Sequence, residues 1–254
     1  MNPFDDPSLI KVMVGMPSAG VVDCIAVDNR LDFMMELARL EARSKFKFFT
    51  GNVGRCGVNY AREMMSKEAI NQKMDYLLMI DDDQIVPRTM MERLYATLKE
   101  ERADIVSPLV TQRLHPFYPV MYRHNYFTED KSRLRNEYIT EYEPNSVMTV
   151  DGVGFGVVLI SVPLLAKLDP LMPEGMFFSN NQTGEDIYFC IKARQKLDAK
   201  IVVDTRIKVG HLRHPEMSTE WDYVKAKGIH EKFKDVYPKD FQGTTASRIY
   251  SGAI

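Results

Sequence analysis

Residues 76–83 read Tyr-Leu-Leu-Met-Ile-Asp-Asp-Asp, five apolar side chains followed directly by three carboxylates. An apolar run without alternation is typical of a central parallel strand that helices cover on both faces. In open α/β sheets, ligands bind at the carboxyl ends of the strands. The segment therefore predicts a buried strand with a binding site at its end.

The adjacent carboxylates of Asp81, Asp82 and Asp83 repel one another, so an unpaired cluster costs stability. Two carboxylates one residue apart can hold Mg²⁺ or Mn²⁺ against a diphosphate and so neutralise charge on a leaving group. A solvated acidic turn is the alternative interpretation. The position directly after an apolar run favours the metal site.

Apolar runs alternate with amphipathic stretches on either side of this segment. Strands are predicted at 11–16, 46–49 and 105–106, and helices where apolar residues recur at helical spacing, at 31–42, 58–69 and 87–98. Residues 51–54, with two glycines, predict a turn. The alternation predicts an α/β fold built on a doubly wound, mostly parallel sheet.

The pattern changes after about Ser107. Residues 117–142 are rich in aromatic and charged side chains and predict a β-hairpin or loop near an acceptor site, with plain packing as the alternative. The next predicted elements are a strand at 157–162, a helix at 185–197 and strands at 201–203 and 207–209. The tail beyond about Pro238 is expected to be peripheral. The glycines at 152, 154 and 156 precede a strand, where they allow either a close approach of a sugar or backbone, or a bulge.

The composition of the 254 residues is that of an ordinary globular protein, with 45% hydrophobic and 27% charged residues. The net charge of −2 argues against a globally basic nucleic-acid binder. No apolar stretch is long enough to span a bilayer, and Asp5 and Asp6 stand where a signal peptide would be basic and apolar. Three cysteines, an odd number, fit reduced thiols. These features predict one soluble domain in the cytoplasm.

The acidic pair in Gly184-Glu185-Asp186 precedes a predicted amphipathic helix. Thr183 and Asp186 fit a capping box, and a helix N-terminus also favours acidic residues electrostatically. A carboxylate at this place can equally act as a general base that takes the proton of an acceptor hydroxyl. The residues alone leave both interpretations open.

Two further patterns carry less information. His211 and His214 flank Arg213 after a predicted strand, and imidazole joins carboxylates around ions such as Mn²⁺, although a lone histidine is more often packed or at the surface. Which of the two would bind is left open. Arg55 and Arg62 follow the glycines of residues 51–54, but the spacing is not that of a phosphate-binding loop.

In this order and spacing, the motifs resemble a glycosyltransferase of the GT-A fold, closest to the broad family 2-like group. The resemblance covers about residues 11–214. The matching segments are Pro17-Ser18, Asn52-Val53-Gly54, Ala61-Arg62, Asp81-Asp82-Asp83 followed by Pro87, Gly184-Glu185-Asp186, Val203-Asp204 and Gly210-His211. The resemblance implies one GT-A domain with a Rossmann-like nucleotide-sugar-binding half at about 10–110, an acceptor and catalytic half at about 111–214, and a C-terminal extension at 215–254.

The resemblance also implies a nucleotide-diphosphate sugar as donor, a UDP-sugar above others, and Mn²⁺ or Mg²⁺ as cofactor. Asp81 and Asp83 match the D-x-D carboxylates, with Asp83 as a direct metal ligand and Asp81 near the ribose or the metal. His211 matches a third metal ligand that part of the fold class has. Asp186 matches the base of inverting members, with Glu185 beside it shaping donor or acceptor contacts. The positions that match nucleotide-binding residues are Pro17, Ser18, Asn52, Arg62, Asp81 and Asp82.

Two departures from the family pattern matter. Glu63 follows Ala61-Arg62 where many relatives have Asn, which puts that nucleotide contact in doubt. A histidine after the last strand is also common in some retaining enzymes, so the stereochemical outcome stays open.

The predicted function is therefore metal-dependent hexosyl transfer, with two alternatives. A sugar nucleotidyltransferase ordinarily has a basic, glycine-rich loop near the first strand, and residues 17–22 contain no Lys or Arg. A catalytically silent glycan or nucleotide binder does not need the acidic triad, Glu185-Asp186 and His211 in one chain. A glycan, protein or small-molecule acceptor is favoured over a nucleic acid, and the sequence does not reveal the donor sugar or the oligomeric state.

Overall fold

A seven-stranded sheet runs through the centre of the protein, which a computed structural model describes over residues 6–18, 20, 22–54, 56–128, 134–180, 182–212 and 217–233. The strands in spatial order are β2 (Phe46–Gly54), β1 (Ile10–Ser18), β3 (Tyr76–Ile80), β10 (Val157–Ser161), β5 (Ile105–Leu109), β11 (Ile201–Lys208) and β8 (Val147–Val150). β10 and β8 run antiparallel to their neighbours, and the other pairs are parallel. The predicted α/β fold with a mostly parallel central sheet is confirmed.

Helices cover both faces of this sheet. The helices of the described residues are α1 (Cys24–Arg43), α2 (Val58–Asn71), α3 (Met90–Glu101), α4 (Val162–Leu168), α5 (Glu185–Leu197), α6 (Glu220–Ala226) and α7 (His230–Phe233), with a 3₁₀ turn at Asp169–Leu171; α6 packs on β13 (Met217–Thr219) and on α7. Leu77 of β3 belongs to one apolar cluster with Met65 of α2, and Leu78 belongs to a second cluster with Phe33 of α1. Because successive side chains of a strand point to opposite faces, a strand covered on both sides is apolar throughout, as predicted for β3.

Two three-stranded sheets complete the fold. One contains β13 (Met217–Thr219), β12 (Gly210–Leu212) and β4 (Gln84–Ile85), and the other contains β7 (Leu134–Tyr138), β6 (Met121–Phe127) and β9 (Gly152–Val153). The first pairs His211 with Gln84, the residue after Asp83. In the second, β6 and β7 are antiparallel partners, which confirms the hairpin predicted within residues 117–142.

The strand β2 is longer than the sequence predicts. Residues 51–54 continue the strand, so the predicted turn is wrong and Asn52 lies within a strand. The reason is pairing, since β1 and β2 match residue for residue from Ile10 opposite Phe46 to Ser18 opposite Gly54. A continuous ladder of backbone hydrogen bonds outweighs the weak strand preference of glycine and asparagine.

Three other predicted elements differ in detail. The helix expected from Pro87 begins at Met90, after a turn closed by the Met90 N–H donating to Pro87 O. Residues 201–208 form one strand instead of two, with a register shift between Asp204 and Lys208. In α1 the helix is confirmed, but Leu31 and Met35 are 60% and 52% exposed, whereas Phe33 faces the core.

Some predicted features lie outside the described residues. They are Arg55, Arg213, His214 and the tail beyond Pro238. Within the described part of the chain, no helix has the length and apolarity that crossing a membrane requires.

Candidate active site

A pocket of about 380 Å³ opens beside the carboxyl end of β3. We call it the carboxylate pocket, because Asp81, Asp82, Asp83, Glu185 and Asp186 all line it. Its other polar or glycine lining residues are Ser18, Arg62, Arg113, Gly154, Gly156 and His211, and Pro17 stands at its edge. Of the predicted site residues that the structure describes, all except Asn52 line this pocket; Arg55 and His214 lie outside the described residues.

Asn52 lines a neighbouring pocket of about 500 Å³ between α1 and the strands β1 and β2. We call it the Asn52 pocket. Its walls are mostly apolar, and Ser18 and Asp82 line both pockets, so the two spaces adjoin. Arg30 lines the Asn52 pocket and donates from Nη2 to the backbone oxygens of Asp81 at 3.0 Å and Gln84 at 3.1 Å. Burial lowers the pKa of Arg30 to about 10, so its side chain stays charged at neutral pH.

Arg62 ties two of the carboxylates together. Its side chain is 3% exposed, and Nη2 donates to both carboxylate oxygens of Asp81 at 2.8 and 2.9 Å. Nη1 is hydrogen-bonded to Glu185, and Nη2 also reaches the backbone oxygen of Phe155 at 3.2 Å. Burial raises the pKa of Asp81 above its ordinary value, although the charge of Arg62 opposes this. Arg62 and Asp81 therefore form the wall of the pocket as an ion pair, and their contact with a nucleotide stays a prediction.

His211 and Asp83 form a second polar pair across the pocket. His211 Nδ1 lies 2.7 Å from the backbone oxygen of Thr111, which only accepts hydrogen bonds, so Nδ1 carries a proton. Nε2 lies 3.3 Å from Asp83 Oδ2. In the neutral imidazole this places two acceptors opposite each other, and a cation between them, either a proton on Nε2 or a metal ion, is needed to make the contact favourable.

The predicted metal triad does not assemble. Among the described residues, no three His, Cys, Asp or Glu side chains form a group that could hold a metal ion. Asp81 is bound by Arg62 through both oxygens, which leaves Asp83 and His211 as a two-ligand pair. Burial raises the pKa of Asp83, but His211 and Arg113 outweigh it and hold that pKa below its ordinary value. Asp83 is therefore an ionised carboxylate next to an imidazole nitrogen, a mixed oxygen and nitrogen pair that suits a divalent transition-metal ion such as Mn²⁺ better than Mg²⁺, which prefers oxygen ligands.

Asp186 does not belong to a capping box. The N-cap of α5 is Gly184, and the Thr183 hydroxyl donates to Gly184 O at 3.1 Å instead of capping the helix. The capping interpretation of Thr183 and Asp186 is therefore wrong within the described structure, where Thr219 and Asp222 form the capping box of α6. Asp186 Oδ1 accepts from the Ile187 N–H at 2.7 Å and its side chain faces the pocket.

Two glycines make room for Asp186. A Cβ at Gly184 would lie 2.9 Å from Asp186 Oδ1, and a Cβ at Gly154 would lie 2.5 Å from Val120 Cγ1 and 3.6 Å from Asp186 Oδ2. The close approach expected in residues 152–156 is therefore made by side chains of the protein itself. A side chain at Gly184 would therefore crowd the Asp186 carboxylate, and one at Gly154 would displace Val120 beside it.

The charge state of Asp186 is unusual. Burial, together with the negative charge of Glu185, raises its pKa to about 6, while Arg62 opposes the shift. A carboxyl with a pKa near neutrality is ionised under physiological conditions and still has appreciable affinity for a proton. This is the property that a general base needs.

Arg113 is a site residue that the sequence did not reveal. It lies after β5, its Nη1 is 3.4 Å from Asp83 Oδ2, and its side chain is 58% exposed. It places an exposed positive charge on a pocket lined by five carboxylates. The sequence offered one signal for Arg113, which is its position just after β5. This strand ends at the same edge of the sheet as β3, and binding residues of α/β proteins concentrate at that edge.

The comparisons with known proteins concern the fold. No protein-family model matches the sequence, and no curated protein matches it. The chain is similar in structure to A197 from STIV, with a TM-score of 0.53, 19% identity, and coverage of 81% of this chain and 87% of that one. This likeness shows a shared fold.

Two further solved structures are more distant. UDP-glucose pyrophosphorylase complexed with UDP-glucose has a TM-score of 0.47 and 10% identity, with 87% of this chain and 99% of that chain covered. Residues 1–349 of S. aureus TarS have a TM-score of 0.41 and 11% identity, with 95% and 70% covered.

Proposed function

We propose that the protein is a metal-dependent glycosyltransferase that moves a hexose from a nucleotide-diphosphate sugar to an acceptor hydroxyl. One observation carries the proposal: Asp186, with its pKa raised to about 6, lines the same 380 Å³ pocket as the Asp83–His211 pair. A base for the acceptor thus faces the same space as the ligands of a metal ion that would neutralise the departing diphosphate. Strongly shifted pKa values in a cleft are typical of catalytic groups.

The donor would occupy both adjoining pockets. The largely apolar Asn52 pocket suits a nucleoside, with Asn52 and Arg30 offering hydrogen bonds to the base, and Ser18 and Asp82 at the junction near the ribose. The diphosphate would then lie in the carboxylate pocket beside Pro17, where Arg113 offsets its charge. In this proposal residues 10–110 supply most of the donor contacts, and a uridine nucleotide is the expected donor.

Asp83 and His211 would hold Mn²⁺ or Mg²⁺. Such ions are commonly held by one or two protein ligands and complete their coordination with phosphate oxygens and water. When bound, the ion neutralises charge on the departing diphosphate. The Thr111 backbone oxygen keeps the proton of His211 on Nδ1, and thereby keeps Nε2 available as a ligand.

Asp186 would act on the acceptor. Its carboxylate takes the hydroxyl proton while the acceptor oxygen forms a bond to the anomeric carbon. The bond from that carbon to the phosphate oxygen breaks, and the diphosphate leaves with the electron pair. A single displacement of this kind inverts the configuration of the anomeric carbon. Glu185, hydrogen-bonded to Arg62, helps to keep the pKa of Asp186 high.

The test is an incubation of the full chain with UDP-, GDP- and dTDP-hexoses in Mn²⁺ or Mg²⁺. We expect release of the nucleoside diphosphate from at least one donor, slowly by hydrolysis and faster with a suitable acceptor. Formation of a nucleoside triphosphate from the same donor and pyrophosphate would instead identify a nucleotidyltransferase. Metal-dependent nucleotide binding with no turnover of any donor would identify a silent binder. Either result would overturn the proposal.

A further inference from the structure

A third pocket, of about 260 Å³, lies along the face of α5 that carries Tyr188, Lys192 and Gln195. We call it the α5 pocket. Residues four and seven apart share one face of a helix, and Asp186 is turned by about 200° from Tyr188. The α5 pocket and the carboxylate pocket therefore lie on different sides of the same helix.

The polar lining of the α5 pocket is dominated by side-chain amides. Asn180, Gln182 and Gln195 contribute an amide each, and Thr128 contributes a hydroxyl. A side-chain amide carries two N–H donors and an acceptor oxygen, the same mixed capacity that a polyol presents from its hydroxyl groups. In Asn180 the oxygen already accepts from the backbone N–H groups of Gln182 and Thr183, so this residue contributes donors to the pocket. No carboxylate lines the pocket among the described residues, in contrast to the carboxylate pocket with five.

Aromatic rings form the apolar wall. Phe127 and Tyr188 both line the pocket, with ring centroids 6.3 Å apart and planes inclined at 63°. Ring surfaces beside a few fixed polar groups are the usual make-up of a small-molecule site. Sugars carry C–H groups on the faces of the ring and hydroxyls at its edge, so they match a wall of this composition.

Among the described lining residues, one ammonium group supplies the charge. Lys192 Nζ lies 5.2 Å from the centroid of Tyr188 and 5.8 Å from that of Phe127, so both rings hold it at the wall by cation–π attraction. One cation among the neutral amides of the described lining is a poor match for a nucleic acid, which is bound through many phosphate contacts. The volume is also below the roughly 300–1,000 Å³ of sites for drug-sized ligands. A ligand of the size of one sugar residue fits both observations.

The wall of the α5 pocket continues into the active site. Asn180 and Gln182 stand on the segment whose end is pinned by the Asn180 N–H donating to Thr183 O at 3.2 Å. The candidate base Asp186 follows shortly after, four positions beyond Gln182 and six beyond Asn180. A chain-like ligand held in the α5 pocket can therefore extend around the start of α5 toward Asp186.

We infer that the α5 pocket binds a sugar residue of the acceptor, which makes the acceptor a glycan. The carbohydrate site stands on the pocket itself, and its role as an acceptor site rests on the proposed function. The hydroxyl that receives the hexose belongs to a neighbouring sugar unit, which reaches Asp186.

The experiment measures binding of a defined panel of oligosaccharides to the full chain by saturation-transfer difference NMR, without donor. The probes are cellobiose, N,N′-diacetylchitobiose, maltose, lactose, mannobiose and their trisaccharides. We expect at least one to bind, and Lys192→Ala and Gln195→Ala each to weaken that binding by about tenfold or more. Lys196→Ala is the matched control, because Lys196 is an exposed residue of the same helix turn that does not line the pocket.

Absence of binding by the whole panel, or equal binding by the two pocket variants and the parent, would overturn the inference. UDP, GDP and dTDP affinity with Mn²⁺, measured on the same samples, keeps this separate from the proposed function. Nucleotide binding without any saccharide binding removes the α5 site and leaves the glycosyltransferase proposal in place. Saccharide binding that depends on Lys192 and Gln195, without nucleotide binding, supports the carbohydrate site and overturns its acceptor role.

Discussion

His211 Nε2 faces Asp83 Oδ2 at 3.3 Å, while the proton of the ring is used at Nδ1 by the backbone oxygen of Thr111. The hydrogen bond to Thr111 thus fixes the orientation of the imidazole from the side of the ring opposite Asp83. The paired acceptors in front are the part of the site that most directly calls for a cation, and they give the first two predictions.

Asp83→Ala should abolish the Mn²⁺-dependent part of nucleoside diphosphate binding and leave the protein folded. His211 and Arg113 hold the pKa of Asp83 below its ordinary value, so loss of this carboxylate should lower stability modestly, without unfolding the protein. Calorimetric titration of UDP, GDP and dTDP with and without Mn²⁺ measures the effect. Asp28→Ala, at an exposed position of α1, is the control. Unchanged metal dependence in Asp83→Ala would exclude Asp83 as a ligand.

His211→Ala should weaken Mn²⁺ binding less than Asp83→Ala does, because an anionic oxygen and the diphosphate remain to hold the ion. Electron paramagnetic resonance of free Mn²⁺ in the presence of nucleotide measures the bound fraction. If Mn²⁺ affinity matches that of the parent, His211 has a structural role through Thr111 alone.

Asp186→Asn should lower the rate of transfer by roughly 10²–10⁴-fold, because an amide cannot accept the proton of the acceptor hydroxyl. Nucleotide and metal binding should persist. Asp222→Asn is the matched control: it weakens the capping box of α6 and should cost about 1 kcal/mol of stability without a comparable loss of rate. A folded Asp186→Asn protein that transfers at the parental rate would remove Asp186 from the mechanism and favour a retaining pathway.

The pH profile should reveal the same carboxyl. The pKa of Asp186 is raised to about 6, so kcat/KM for the acceptor should fall about tenfold per pH unit well below pH 6 and level off above it. A flat profile across pH 5–8, at saturating donor and metal, would contradict the assignment.

Stability should respond to Asp186 in the opposite sense. An acid whose pKa is raised on folding stabilises the folded state most below its unfolded pKa, and that contribution is lost as pH rises through about 6. Asp186→Asn should therefore gain stability relative to the parent between pH 4 and pH 8. Urea unfolding at the two pH values checks this, and a difference that does not change with pH would show that the carboxyl is not perturbed.

Arg113→Ala should weaken nucleoside diphosphate binding by about tenfold, at the low end for a charge-assisted contact because the side chain is exposed. The loss should shrink as salt is added. Arg39→Ala, an exposed arginine of α1, is the control. Equal affinity of the Arg113 variant and the parent at low salt would show that the diphosphate does not reach this residue.

The sequence predicted the elements whose signals are local. β3 and α5 have the bounds expected, because an unbroken apolar run and a helical period depend only on which faces are covered. The buried face of α1 was harder to predict from the sequence. Leu31 and Met35 fit the helical spacing of apolar residues, but the sheet covers Phe33 and Leu37 instead. When a helix carries more than one apolar face, tertiary packing decides which face is buried.

The site was predictable as a set of residues but not as a set of contacts. The predicted residues do converge on one pocket, because each lies close to the end of a strand or helix at the same edge of the sheet. They are the acidic triad, Glu185, Asp186 and His211. That Arg62 would bind Asp81 and Glu185 depends on side chains 19 and 123 residues away in sequence, which no local pattern encodes. The long strand β2 was missed for a similar reason, because its pairing partner lies elsewhere in the chain.

The place of β10 between β3 and β5 has a consequence for how the chain can be divided. Residues 10–110 contribute both flanking strands, yet the strand that joins them comes from residues 157–161. An isolated fragment 1–110 would carry two open sheet edges in its interior, which is a template for aggregation. The two halves are thus interleaved in the central sheet. We expect that they must be expressed together and that they unfold in one cooperative transition. If the chain is divided near residue 110, the two fragments should regain the native structure only when they are refolded together.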